Sequence, residues 1–243
     1  MRLSGKTAVV TGGATGIGLA IAKSFAGEGC RVVIAGRRQD KLDTAAASWT
    51  GDPPLLTHTV DVADRASVAK LFDWARKELG KIDILVNSAG INTPKRLMSD
   101  IPPETWDQVL QINATGPFNC IQAVLPDMRA AGGGLIININ SISGVRATML
   151  GGVAYCASKF ALTALGTCTS LEYGKDGIRV TAICPGEVDT PLLDARPKPL
   201  TEEHRSKILA PQDIADAALM VACLPPNAHV TELVIKPTWQ EHS

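Results

Sequence analysis

The stretch TAVVTGGATGIGLAIAKSFAGEGCRVVIAGRR (Thr7–Arg38) decides the fold. It opens on a short apolar run, Thr7–Thr11, of the kind found in parallel strands covered on both faces. Glycines at 12, 16 and 18 follow at G-x-x-x-G-x-G spacing, and a helical pattern runs over Gly16–Glu28 before a second apolar run, Arg31–Ala35. Glycines let a backbone turn tightly and come close to a pyrophosphate, and the following helix N-terminus turns free N–H groups toward it. A lone glycine turn is a weak signal. Its place at a strand–helix junction inside a strand–helix–strand unit makes it a strong one.

The same alternation continues along the chain. Strands are expected at Leu55–Val60, Ile82–Asn87, Leu135–Asn140, Ile178–Cys184 and Thr231–Ile235. Helices are expected at Asp40–Trp49, Asp64–Leu79, Glu104–Ala131, Gly152–Tyr173 and Gln212–Leu224. The expected fold is therefore α/β, a Rossmann-type doubly wound parallel sheet of about seven strands in a single domain over 1–243, with ligands beyond the carboxyl ends of the strands. The longest patternless stretch, about 189–210, follows the sixth strand and is expected to form a short substrate loop.

Composition agrees and excludes other classes. Of 243 residues, 45% are apolar and 20% charged, as in globular chains. The 24 basic and 24 acidic side chains cancel, so no net field draws nucleic acid or an anionic membrane. The six cysteines are scattered without C-x-x-C pairs, so neither a metal site nor a disulfide framework is expected. No apolar run approaches the ~20 residues of a membrane span, and the N-terminus carries no signal-peptide pattern. The expectation is a cytoplasmic protein.

The second strand bears on nucleotide choice. Where a carboxylate would accept from a ribose 2′-OH, the chain has Arg37 and Arg38, whose planar forks suit a 2′-phosphate. NADP(H) is expected over NAD(H).

Tyr155, one of two tyrosines, lies four residues before Lys159 on the same face of an expected helix. Such pairs are common on helix surfaces, and the spacing alone decides nothing. An ammonium ~5 Å from a phenol at an effective dielectric of ~20 is worth roughly 3 kcal/mol, or about 2 units of phenol pKa. Ser141 ends the fifth strand, where its hydroxyl can donate to a carbonyl or satisfy loop backbone; Ser143 competes for that role. Asn113 interrupts an apolar stripe (Trp106, Leu110, Pro117, Ile121, Val124) and needs partners if buried. Pro117 has no N–H to donate to the Asn113 carbonyl, which is expected to stay free at a kink.

Taken in order, TGGATGIG (Thr11–Gly18), Asp61-Val62, NSAG (Asn87–Gly90), Asn113, Ser141, YCASK (Tyr155–Lys159) and PGEVDT (Pro185–Thr190) make the chain similar to the short-chain dehydrogenase/reductase family over nearly its whole length. The resemblance implies that Tyr155 is the general acid/base and that Lys159 tunes it and holds the nicotinamide ribose. Ser141, three residues before Gly144, would orient the carbonyl, and Asn113 would anchor a water. Gly12, Thr15, Gly16, Ile17 and Gly18 would hold the cofactor at the turn. Asp61 and Val62 would meet adenine, and Asn87, Ala89 and Gly90 the adenosine ribose side. Pro185, Gly186, Val188 and Thr190 would meet the nicotinamide carboxamide. Family members assemble as dimers or tetramers through two long helices, so a homodimer or homotetramer is expected.

Departures are Ser88, where Asn is commoner, and a C-terminal TELVIKP (Thr231–Pro237) in place of a glycine-rich ending. The latter is similar to members acting on small hydroxy acids and simple carbonyls. Arg146 is a candidate for a substrate carboxylate, or simply solvated. The expected function is NADP(H)-dependent reduction or oxidation of a small carbonyl/secondary alcohol pair, as in a carbonyl reductase. A nucleotide-binding sensor without turnover and a lyase or dehalogenase on the same tyrosine are the other readings.

Overall fold

The structure, a computed structural model, describes residues 1–197 and 199–240. Lys198, within the expected substrate loop, and 241–243, within the expected single domain, lie outside the described residues. Seven parallel strands form one sheet in the order β3-β2-β1-β4-β5-β6-β7. They are β1 (Thr7–Thr11), β2 (Arg31–Gly36), β3 (Leu56–Thr59), β4 (Ile84–Asn87), β5 (Gly134–Ile139), β6 (Ile178–Pro185) and β7 (Glu232–Ile235). The helices are α1 (Gly16–Gly27), α2 (Gln39–Ala47), α3 (Arg65–Leu79), α4 (Pro103–Leu110), α5 (Gly116–Ala130), α6 (Val153–Tyr173), α7 (Glu202–Arg205) and α8 (Pro211–Ala222).

Strand alternation divides the core in two. Ala8, Val10, Val32 and Ile34 pack with Ile21 and Phe25 of α1, Leu42 of α2 and Ile214 of α8. Val9, Val33, Leu85 and Ile136 pack on the other face with Leu71 and Phe72 of α3 and Ile121 and Val124 of α5. Residues i and i+2 of a strand share a face, so near-continuous apolar runs serve both layers at once. The sheet order reverses between β1 and β4, and the crevice beyond their carboxyl ends is where such folds take ligands.

The helix expected over Glu104–Ala131 departs from regularity at its centre. Between α4 and α5, Gln111–Thr115 forms a π turn, and the Gly116 N–H bonds the Gln111 carbonyl five residues back. A 3.6-residue pattern does not register one extra residue in the winding. The expected substrate loop also carries structure, a 3-10 turn at Pro191–Ala195 and the four-residue α7. Its Pro- and Arg-rich sequence hid both.

Candidate active site

Gly12 takes φ +66, and a Cβ there would stand 2.7 Å from the Ala89 amide nitrogen. Only glycine therefore lets the β1 turn lie against the loop after β4. A Cβ at Gly18 would overlap the Gly12 carbonyl, so that glycine seats α1 beneath the turn. Thr15, at the α1 N-cap, makes no side-chain cap bond, and the first turn carries no carboxylate. The helix end thus presents its N–H groups outward.

Gly12, Thr15, Gly16 and Ile17 line a cavity of about 510 Å³ together with Ala89, Gly90, Ser141, Tyr155, Lys159, Pro185, Gly186, Val188 and Thr190. Ser88 and Ser143, also singled out in the sequence, line it too; the other sequence-selected residues do not. Gly18 is packed in α1, and Arg37, Arg38 and Asp61 are exposed at the strand ends. Neither arginine side chain has a hydrogen bond or ion pair among the described residues. Asp61 caps its own turn, accepting the Ala63 N–H at 3.0 Å, and Val62 is buried against Gly116. Asn87 is buried and donates to Asn138 Oδ1 at 2.9 Å. Arg146 is exposed and stands off the cavity.

Ser141 caps a 3-10 turn at Ile142–Gly144, its Oγ accepting the Ser143 N–H at 3.1 Å. That bond uses a lone pair and leaves the hydroxyl proton to donate elsewhere. Ser143 lies 3.2 Å from the Thr148 hydroxyl. Lys159 is buried, donates to the Ile139 carbonyl at 2.9 Å, and places Nζ 5.6 Å from the Tyr155 ring centre.

Burial dominates the electrostatics of both. It pushes the Tyr155 phenol up to about 12, while the Ser141 hydroxyl and the Arg96 guanidinium pull it back. It lowers the Lys159 ammonium to about 8. The sequence expectation, a phenol lowered by its lysine, is therefore reversed in the protein alone. Desolvation disfavours each charged form more than the surrounding groups favour it.

Asn113 is fully buried and satisfied within the protein. Its Oδ1 accepts the Ile91 N–H at 2.8 Å, and its Nδ2 donates to the Ile91 carbonyl at 2.9 Å and to Ser158 Oγ at 3.1 Å. Ser158 donates in turn to the Tyr155 carbonyl at 2.8 Å. The π turn thus clamps the loop after β4 to the helix carrying Tyr155. A Cβ at Gly90 would sit 3.5 Å from Asn113 Oδ1 and 3.9 Å from Lys159 Nζ.

Leu192 and Arg196 of the expected substrate loop also line the wall, but sequence reasoning missed Asn92, Arg96, Leu150 and Gln240. No local pattern marks them. Arg96 is buried, whereas its neighbour Lys95 is exposed, and composition does not separate the two.

The family model for short chain dehydrogenases matches residues 6–200. An uncharacterized oxidoreductase of Staphylococcus saprophyticus subsp. saprophyticus is 37% identical over 239 residues, covering 98% of this chain and 99% of that one. An alcohol dehydrogenase of the archaeon Thermococcus sibiricus, complexed with 5-hydroxy-NADP, superposes with a TM-score of 0.87 at 27% identity, over 97% of this chain and 98% of that one. A 3-ketoacyl-(acyl-carrier-protein) reductase of Brucella melitensis, complexed with NADH, gives 0.88 at 28% identity, with coverage of 97% and 98%. A glycine turn and a Ser-Tyr-Lys set on one cavity, in a parallel seven-stranded sheet, agree with these matches: the chain belongs to the short chain dehydrogenase family and is an oxidoreductase.

Proposed function

We propose that this single domain interconverts a small carbonyl compound and its secondary alcohol with NADP(H), Tyr155 acting as general acid/base. The observation that carries the reading is the single cavity shared by the glycine turn and by Ser141, Tyr155 and Lys159. The residues fit the cofactor: the α1 N-terminus is free of side-chain caps and acids, which suits a pyrophosphate. Arg37 and Arg38, exposed at the end of β2, favour the 2′-phosphate form. When bound, the nicotinamide supplies the two-electron hydride chemistry.

The chain's own residues handle orientation and the proton. Ser141 donates its hydroxyl proton to the substrate oxygen and holds the carbonyl toward Tyr155. A phenol near 12 is protonated at neutral pH, so Tyr155 stands ready to give its proton to the oxygen of a reduced carbonyl. Lys159 keeps a positive charge beside it and reaches the ribose side. Asn113 positions the helix through Ser158 and, as in the family this chain belongs to, would anchor a water beside Lys159. A cavity of about 510 Å³ shared with the nicotinamide end of a cofactor leaves room for a small substrate.

Among the described residues no helix is long and apolar enough to cross a membrane, which accords with a cytoplasmic enzyme. Phe118 on α5 and Phe160 and Leu171 on α6 are exposed, which suits a homodimer or homotetramer built on these helices.

The test is nicotinamide absorbance during turnover on a panel of ketones, aldehydes and hydroxy acids, with NADPH and NADH in parallel. Wild type turns over with NADPH preferred, and Tyr155→Phe loses roughly 10²- to 10⁴-fold in kcat. Turnover undiminished in Tyr155→Phe refutes the assignment.

A further inference from the structure

Arg96 is 8% exposed and lines the cavity that holds Tyr155. Its main chain meets the start of α6, where its carbonyl accepts the Val153 N–H at 3.0 Å, two residues before Tyr155. Its side chain bonds only to neutral groups. Nε donates to the Thr93 carbonyl at 2.9 Å, one terminal nitrogen to the Leu150 carbonyl, and the other to the Ala195 carbonyl at 3.0 Å. No carboxylate among the described residues pairs with it.

A buried cation without a counter-charge is costly. Here the cost is compounded, because burial and a second guanidinium, Arg196, both lower the Arg96 pKa. The one carboxylate among the described wall residues is already engaged. Glu187 Oε2 takes Arg196 at 2.8 Å and His204 at 2.7 Å. A guanidinium has five N–H groups, and three are used. The remaining two lie one on each terminal nitrogen, the number a carboxylate takes in a forked pair.

We infer that the substrate is a small oxo or hydroxy acid whose carboxylate is received by Arg96, with Arg196 as a second cation in the cavity wall. This deepens the proposed function and rests on it, since Tyr155 must serve the carbonyl of the same molecule. It replaces Arg146, which is exposed and off the cavity, as the anion receptor.

Matched pairs that differ only in charge provide the test: pyruvate against methyl pyruvate, and acetoacetate against methyl acetoacetate, each with NADPH. The two pairs place one or two bonds between the carbonyl carbon and the carboxylate carbon, and 2-oxopropylphosphonate adds a phosphonate arm. In wild type at least one acid exceeds its ester by roughly 100-fold in kcat/KM, mostly through KM. In Arg96→Gln that ratio falls close to one, and Arg96→Lys keeps part of it. A merely structural arginine, pinning Leu150 and Ala195, lowers acid and ester alike and leaves the ratio at its wild-type value, which overturns the inference. Preference for the esters, or for the phosphonate over both acids, overturns it too. Turnover of neutral ketones without turnover of either acid refutes this inference alone, whereas no nicotinamide-dependent turnover on any compound refutes the proposed function beneath it.

Discussion

Replacing Asn113 with alanine tests whether the π turn is a structural clamp. The side chain makes three hydrogen bonds at zero exposure, two to the Ile91 main chain and one to Ser158. Alanine strands the two Ile91 main-chain groups, while Ser158 keeps its bond to the Tyr155 carbonyl, and each buried unsatisfied group costs about 1–3 kcal/mol. Ile91 is only half-buried, so the low end applies and the sum is about 2 kcal/mol. For a chain of this size that lowers Tm by about 4–8 °C. Urea denaturation followed by far-UV circular dichroism measures it, on Asn113→Ala, Ser158→Ala and the double variant. The coupling between the two sites is expected at about 1 kcal/mol. A loss below 1 kcal/mol in Asn113→Ala, or strict additivity, refutes the clamp and leaves Asn113 a role in turnover alone.

Two further outcomes are expected. Arg37→Asp lowers the preference for NADPH over NADH by roughly 10- to 100-fold in kcat/KM, the worth of a charge-assisted bond to a phosphate; an unchanged ratio contradicts the role given to the end of β2. Lys159 sets a pH dependence of stability, because burial lowers its pKa to about 8 against ~10.4 in an unfolded chain. Between those values the unfolded state binds more protons, so stability rises with pH there and the contribution is absent below about 8. Wild type therefore gains up to roughly 3 kcal/mol on Lys159→Met from pH 8 to 10.5 in urea titrations, and a flat difference contradicts it.

The sheet was legible because its strands are apolar on both faces and bounded by turns. Val9 and Val10 face opposite layers, yet both are fully buried. Strand ends moved by one or two residues, as at β3 and β4, where apolar flanks such as Leu55 and Ile82 stay buried beyond the ladder. The glycine turn and the Ser141, Tyr155 and Lys159 positions were legible because each sits at a strand end or on one helix face. Arg96 was not, because its burial depends on three loops that meet only in the folded chain. The direction of the Tyr155 shift was hidden for a similar reason: spacing gives a distance to Lys159, but not how much water the site excludes.

A π turn is the trace of a single inserted residue that an α-helix has absorbed without breaking. Each residue of a helix advances the winding by about 100°. Deleting any one residue within 111–115 would remove the extra residue from the winding and rotate all of α4 by about that angle relative to α5. Val109 would leave the core, and Asn113 would lose its register with Ile91 and Ser158. The length of this segment therefore carries both the core register of α4 and the clamp on α6, and losing one residue would cost both at once.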